Sequence, residues 1–146
     1  MAHVTVRLTG EKYQTEMKAR NHTWIADEPA DSGGNDSGPM PTEIVLGALG
    51  ACAAITARLY AERKGWPLEG VEVTLDSERF NKGDYPAYNG EAELVHQIRQ
   101  AMVFRGPLTD DQKKRLMEIA ARCPVHKLLT NPVFIVDELI KEETPA

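Results

Sequence analysis

The residues of this 146-residue chain with the clearest capacity for chemistry are its two cysteines, Cys52 and Cys123. A cysteine thiolate is a nucleophile, and a second thiol can attack a sulfur that has already been oxidised. Because the two cysteines lie far apart in the sequence, they can form one redox pair only if the segments that carry them pack together.

The two cysteines have different local settings. Cys52 lies deep inside an apolar helical pattern, beyond the first turn where the helix dipole acts, so its position alone favours an inert core cysteine. Cys123 is expected at the C-terminal end of a later helix that Pro124 stops, where the dipole disfavours a thiolate. Such a thiol would attack an oxidised sulfur better than a peroxide, and the alternative is a small residue that fills space at a helix end.

Other kinds of site lack their motifs. His126 follows Cys123 with the spacing of half a zinc site, but no second half is present, so no metal is expected. The chain has neither a phosphate-binding glycine loop nor a Gly-x-Ser-x-Gly turn, and no cofactor is expected. The basic run from Lys113 to Arg115 is balanced by nearby acids and indicates solvated surface.

Composition narrows the class of protein. The chain has 17 Lys and Arg against 22 Asp and Glu, a net charge of −5, which argues against a nucleic-acid partner. The longest apolar run, Ile44 to Ala57, is shorter than the roughly 20 residues that cross a bilayer, so no membrane partner is expected. The first ten residues lack a signal-peptide pattern, so we expect a cytosolic protein. The length of 146 residues is typical of one domain, and we expect a single domain over residues 1–146.

Hydrophobic periodicity predicts α+β order rather than regular alternation of strand and helix. The expected strands are Val4–Leu8, Tyr13–Ala19, Thr23–Ala26, Val71–Leu75, Glu91–Phe104 with a possible bulge at Arg99–Met102, and Val133–Val136, with a turn-rich loop at Ser77–Gly90. The expected helices run from Pro41 to Gly65, with Arg58 pairing with Glu62, and from a capping box at Thr109 to Arg122. The Asp27–Met40 loop is either a linker or a functional cover.

The Pro41 helix is apolar on most sides and needs more cover than one small sheet supplies, which is a first indication of a partner subunit.

Five stretches together resemble the OsmC/Ohr family of osmotically inducible and organic hydroperoxide resistance proteins. They are Pro41–Leu46, Ala48–Cys52, Tyr60–Val71, Arg122–Lys127 and the loop ending Asp36–Pro39. The resemblance is clearest from Glu28 to Val136. Within the family, these stretches are most similar to the OsmC-like branch. Each cysteine lies in a motif of its own, in the family's order.

The resemblance implies an OsmC-like fold with antiparallel sheets and a long buried central helix, in which two chains interlock as a homodimer. It also implies thiol peroxidase activity. Cys52, the peroxidatic residue, attacks an organic hydroperoxide, and also hydrogen peroxide, and becomes a sulfenic acid. Cys123, the resolving residue, condenses with it to a disulfide that an external dithiol reduces. Two other functions stay open: a non-enzymatic protein that binds a small ligand, and a redox sensor.

Two auxiliary residues follow from the same resemblance. The family's glutamate, ten residues before the reactive cysteine, corresponds to Thr42, and the nearest acid is Glu43. Nine residues place Glu43 about 180° from Cys52 on a helix, so it would act across a dimer or only stabilise the first helical turn. Arg20 is the candidate for the cation that activates Cys52.

Overall fold

The computed structural model describes residues 1–8, 10 and 12–142. In these residues the chain forms two antiparallel sheets and three α-helices, which confirms the α+β prediction. The first sheet contains β1 (Thr5–Leu8), β2 (Thr15–Ala19) and β3 (His22–Ala26). The second contains β4 (Gly70–Asn81) and β5 (Leu94–Arg105). The helices are α1 (Pro41–Lys64), α2 (Asp110–Ala120) and α3 (Pro124–Thr130).

The first sheet is a meander in the order β1-β2-β3, as the alternation near the N-terminus predicts. The pairing of Val6 with Met17, and of Met17 with Trp24, places these apolar side chains on one face. Strands of this sheet pack on one another and make no extensive contact with α1 or with the second sheet. Val6 and its apolar neighbours on β1 therefore stay exposed.

The second sheet is a long hairpin in unbroken register, from Gly70 paired with Arg105 to Asn81 paired with Leu94. Two predictions are wrong here. The expected loop from Ser77 is strand as far as Asn81, and no bulge interrupts the pairing at Arg99–Met102. Pairing between distant residues satisfies the backbone of this polar stretch, which local composition does not reveal.

Helix α1 begins at Pro41 and ends at Lys64, and its C-cap Gly65 adopts φ +66° and closes the helix with its N–H, as predicted. Its buried side packs against β4, α2 and α3. Gly50 sits against Leu75, whose Cδ1 would lie 2.6 Å from an added Cβ.

The opposite side of α1 is uncovered in the single chain, and Ile55 there is 60% exposed. Among the described residues, α1 is the one helix whose length and composition would allow it to cross a membrane. The expectation that α1 is buried on most sides is thus not met within one chain, because the second sheet and the two short helices cover only part of its surface.

Helix α2 begins with the predicted capping box. Thr109 Oγ1 accepts the Gln112 N–H at 3.1 Å, and Gln112 Oε1 accepts the Thr109 N–H at 2.9 Å. Leu116 is fully buried among residues of the main hydrophobic core. Arg115 donates to the Tyr60 hydroxyl at 3.2 Å, so this part of the basic run ties α2 to α1 instead of only facing solvent.

The predicted strand Val133–Val136 is wrong for the single chain. These residues are not in regular secondary structure, and Phe134 is 89% exposed. A strand needs a neighbour to accept its backbone hydrogen bonds, and the described residues offer this segment none.

The loop from Asp27 to Met40 is folded on itself. The Asp27 N–H donates to the Pro39 carbonyl at 3.1 Å, which brings the ends of the loop together. The buried Asp27 carboxylate accepts the Ser37 hydroxyl at 2.6 Å and the N–H groups of Ser37 and Glu28. The Ser37 hydroxyl, followed by these backbone donors, holds the pKa of Asp27 below its usual value. The loop is therefore an ordered unit centred on one carboxylate.

Candidate active site

Cys52 and Cys123 lie in contact at the start of α3. Cys52 Sγ accepts the Val125 N–H at 3.5 Å, and Cys123 Sγ accepts the His126 N–H at 3.4 Å. The two thiols are neighbours, and the Cys52 thiol contributes to the raised pKa of Cys123. Packing of α1 against α3 thus brings together the two residues that could form a redox pair.

The position of Cys123 differs from the prediction. Helix α2 ends at Ala120, and Cys123 is the N-cap of α3 rather than the end of α2. The reason is Pro124, which occupies the first position of α3, where its missing N–H is not needed. Cys123 therefore faces backbone N–H groups instead of carbonyl groups.

The two thiols differ in burial. Cys123 is fully buried, and this burial raises its pKa, with the neighbouring Cys52 thiol acting in the same direction. Cys52 is half-buried, so part of this residue is open to solvent. The geometry thus gives the pair one partly exposed and one fully buried cysteine.

The surroundings of the pair are apolar. Cys52 packs against the main core, to which Leu49, Ala53 and Leu116 belong, and Val125 lies at the same edge of it. Such walls suit an apolar molecule better than a charged one.

Glu43 is engaged at the start of its own helix. Its carboxylate accepts the Met40 N–H at 2.9 Å, the contact of a capping box. In the single chain, Glu43 therefore stabilises the first turn of α1, which is one of the two roles considered from the sequence.

Arg20 lies at the turn between β2 and β3, where it adopts φ +53°. It lines a concave surface of about 400 Å³ together with His3, Thr5, Arg7, Glu16 and Lys18. Neither cysteine lines that surface, so the single chain does not bring Arg20 to Cys52.

Arg58 does not make the predicted pair with Glu62. Its guanidinium donates to the backbone carbonyls of Leu68 and, at 3.3 Å, Glu69. Those carbonyls belong to the segment that leads from α1 into β4, and two hydrogen bonds to fixed backbone acceptors outweigh an exposed ion pair with Glu62, which contributes little. Arg58 thus fixes this connection.

Sequence reasoning missed the backbone N–H of Val125 as a partner of Cys52. The order Cys123-Pro124 carried a signal for it, since proline is common in the first position of a helix and the preceding residue is then an N-cap.

In the described residues, no three His, Cys, Asp or Glu side chains are grouped so that they could hold a metal ion.

Comparison with known proteins identifies the family. The family model for OsmC-like protein matches residues 33–136, well over half of the chain. The chain belongs to the OsmC-like family. This confirms the resemblance drawn from the two cysteine motifs. No protein with a curated description matches the chain.

Solved structures agree on the fold of this OsmC-like chain. A putative osmotic stress induced and detoxification response protein from Psychrobacter arcticus matches with a TM-score of 0.71 and 21% identity, covering 90% of both chains. An organic hydroperoxide resistance protein OsmC from Legionella pneumophila matches with a TM-score of 0.64 and 16% identity, also over 90% of both chains. At these identities the similarity establishes the fold, and the family includes hydroperoxide resistance proteins.

Proposed function

We propose that this protein is a cysteine-based peroxidase that reduces organic hydroperoxides, and also hydrogen peroxide. The observation that carries the proposal is the contact between Cys52 and Cys123 at the start of α3. A single reactive cysteine stops at a sulfenic acid, whereas a second thiol in contact converts that acid to a disulfide before further oxidation.

The reaction proceeds in two balanced steps. The Cys52 thiolate attacks the outer oxygen of the hydroperoxide, the O–O bond breaks, and an alcohol leaves with a proton, which gives Cys52 sulfenic acid. The Cys123 sulfur then attacks the Cys52 sulfur, and water leaves as the disulfide forms. An external dithiol restores both thiols by exchange. The half-buried Cys52 is the first nucleophile in this scheme because Cys123 is fully buried.

A second copy of the chain is part of the proposal. Three apolar surfaces stay uncovered in the single chain: the outer side of α1 at Ile55, the face of the first sheet at Val6, and the segment around Phe134. Monomeric proteins rarely expose several such surfaces, and closed pairs of identical chains are the commonest way to bury them. We assign them to a homodimer in the cytosol, where dithiols keep cysteines reduced.

The second copy could also supply the cation that activates Cys52. Arg20 belongs to the first sheet, which makes no extensive contact with α1 of its own chain. A sheet that is free of its own helix can lie over the partner's cysteines, where a guanidinium would favour the thiolate.

The activity is tested by following cumene hydroperoxide consumption with dithiothreitol as reductant. Wild type is compared with Cys52→Ser, Cys123→Ser and the control Ala92→Ser, which places a serine at an exposed position between β4 and β5. We expect Cys52→Ser to lose turnover and the control to retain it. Cys123→Ser is expected to accumulate a sulfenic acid that dimedone traps. Equal rates for wild type and Cys52→Ser would exclude the peroxidase and favour a ligand-binding protein.

The origin of the cation is tested by mixing two inactive variants, Cys52→Ser and Arg20→Ala, after reversible unfolding. A mixed dimer then holds one intact Cys52 facing an intact partner Arg20. Recovery of activity in the mixture supports action across the dimer. If the mixture stays inactive while Arg20→Ala alone is inactive, Arg20 acts within its own chain.

A further inference from the structure

The first sheet has a polar face as well as the apolar face at Val6. Because successive residues of a strand point to opposite faces, Thr5 and Arg7 on β1 lie on the side away from Val6. The register pairs Thr5 with Lys18 and Arg7 with Glu16, so these four side chains share that side. A homodimer that covers the apolar face therefore leaves the polar face open to solvent.

The polar face forms a concavity of about 400 Å³, which we call the basic surface. It is lined by His3, Thr5, Arg7, Glu16, Lys18 and Arg20. With histidine neutral, three cations against one carboxylate give the basic surface an excess of two positive charges. The whole chain carries a net charge of −5, so this surface has the opposite sign and attracts anions.

Ion pairs within the described residues do not neutralise the basic surface. The two ion pairs found there join β4 to β5 and lie within α2. Arg7 is opposite Glu16 in the register, yet their charged groups are not among these pairs. The guanidinium of Arg7 and the ammonium of Lys18 are therefore available to a molecule from solvent.

The groups on the basic surface suit a phosphate that has hydroxyl groups beside it. The planar guanidinium of Arg7 can donate to two phosphate oxygens at once, and Lys18 adds a compact positive charge. Thr5, opposite Lys18, supplies a hydroxyl donor. Glu16 repels an anion, but its carboxylate accepts a hydrogen bond from a neutral hydroxyl. A molecule that carries both phosphate and hydroxyl groups thus satisfies both kinds of side chain.

We propose that the basic surface binds a phosphorylated sugar, either as a free sugar phosphate or as the ribose phosphate of a nucleotide. Arg7 and Lys18 hold the phosphate, and Glu16 accepts a sugar hydroxyl. Neither cysteine lines the basic surface, so this binding is separate from the peroxidase. It also does not require Arg20, which the homodimer proposal places at the partner's Cys52.

Other anionic partners fit the basic surface less well. Single-stranded nucleic acids stack their bases on aromatic side chains, and none of its lining residues is tyrosine, tryptophan or phenylalanine. Docking to an anionic membrane uses clusters of about four to eight Lys and Arg, and this surface has three. Its volume falls within the range of roughly 300–1,000 Å³ that is typical of small-molecule sites. The occupant we infer is therefore a small soluble molecule.

Binding is tested by isothermal titration calorimetry on the full reduced protein at low ionic strength in metal-free buffer. The probes are ribose 5-phosphate and ADP, and ribose is the uncharged control. We expect the phosphorylated probes to bind and ribose to give no binding heat. Binding of ribose 5-phosphate supports a free sugar phosphate, and binding of ADP alone supports a nucleotide. No binding of either probe overturns the proposal.

Matched variants locate the binding site. Arg7→Gln combined with Lys18→Gln removes two cations from the basic surface, and Lys113→Gln combined with Lys114→Gln removes two from α2. We expect the first pair to raise Kd at least about tenfold, because two charge-assisted contacts are lost. The α2 pair should change Kd by less than about twofold, because solvent and salt screen distant charges. Equal weakening in the two variants would show attraction by net charge alone and overturn the site.

Arg7→Lys keeps the charge and removes the planar fork. It is expected to raise Kd less than the double variant does, and a Kd equal to that of wild type would exclude the bidentate contact. Arg7 and Lys18 are exposed, so these substitutions leave the packing of the sheet unchanged. The urea midpoint of each variant checks this point.

Glu16→Ala tests the sugar contact. Its binding of ribose 5-phosphate is expected to weaken, because the hydroxyl loses its acceptor. Binding of inorganic phosphate should strengthen, because a like charge is removed. Stronger binding of both probes would overturn the assignment to a sugar.

The binding proposal and the peroxidase fail in different assays. The double variant of Arg7 and Lys18 is expected to consume cumene hydroperoxide at the wild-type rate while its ribose 5-phosphate binding is weakened. Cys52→Ser is expected to show the reverse, with turnover lost and binding retained. Loss of both properties in either variant would contradict two separate sites.

Discussion

The Sγ atom of Cys52 accepts a hydrogen bond from the backbone N–H of Val125, 73 residues later in the chain, at 3.5 Å. The donor belongs to the first turn of α3, whose N-cap is Cys123. This bond and the cap place both thiols at one helix start, so α1, α3 and the redox pair form a single unit.

Iodoacetamide is expected to label the two thiols at different rates. Cys123 is fully buried, and its burial raises its pKa, so it reacts only in molecules that have opened locally. We expect its labelling at pH 8 to be at least about tenfold slower than that of Cys52. Mass spectrometry of wild type, Cys52→Ser and Cys123→Ser assigns each rate. Fast labelling of Cys52→Ser would contradict the burial of Cys123.

Stability is expected to fall in acid because of Asp27. Its pKa is lowered in the folded state, chiefly by the Ser37 hydroxyl, so the folded protein binds its proton less readily than the unfolded chain. The stabilisation is present above the unfolded pKa of about 3.9 and is lost as the pH falls through the lower folded pKa. We expect Asp27→Asn to lower the urea midpoint at pH 7, with the difference shrinking below about pH 4.

Asp31→Asn is the control for this measurement, because Asp31 lies on the exposed surface of the same loop. It is expected to follow the wild-type curve. A constant difference between Asp27→Asn and wild type from pH 7 to pH 3 would show that the carboxylate charge is not involved.

Substitution of the two mid-helix glycines of α1 is expected to give opposite results. Gly47→Ala meets nothing within 4 Å and should raise the free energy of unfolding by about 0.5–1 kcal/mol. Gly50→Ala places a Cβ against Leu75, and this close contact should cancel the gain. Its free energy of unfolding should be about 1–3 kcal/mol lower than that of Gly47→Ala. Urea unfolding checks both values, and equal stability of the two variants would contradict close packing of α1 on β4.

Arg58→Lys is expected to loosen the connection between α1 and β4. The planar guanidinium bonds two carbonyls, those of Leu68 and Glu69, and an ammonium group cannot match this fork. We expect a loss of about 1–2 kcal/mol in the free energy of unfolding. Arg63→Lys, on the same helix, keeps a cation near the Tyr60 ring and serves as the control with a smaller effect. A loss no greater than that of the control would argue against the carbonyl contacts.

A charge on the outer side of α1 is expected to prevent dimer formation. Ile55→Glu places a carboxylate on the exposed apolar surface assigned to the second copy. Light scattering after gel filtration should then give about half the mass of the wild type. Met117→Glu, on an exposed part of α2, is the control and should keep the wild-type mass. A wild type that is itself monomeric would overturn the homodimer.

Several elements were predictable because their signals are local. Pro41 and Gly65 mark the ends of α1 through backbone geometry, and Thr109 with Gln112 forms the capping box that starts α2. The alternation that predicts the first meander is equally local. By contrast, the continuation of β4 to Asn81 depends on pairing with β5, the next strand of the hairpin, and not on the pattern of the segment itself.

The sequence by itself determined the family and the α+β order of elements, and it singled out Cys52 and Cys123 as the candidate reactive residues, because these follow from motifs and from short-range periodicity. Tertiary structure decided the rest. It placed Cys123 at the start of α3 instead of the end of α2, and it brought Cys52 to the Val125 N–H. Within one chain, it also kept Glu43 at its own helix cap and left Arg20 on a surface that neither cysteine lines. The physical reason is that a thiol's burial and hydrogen-bond donors come from segments distant in the chain, and only packing brings those segments together.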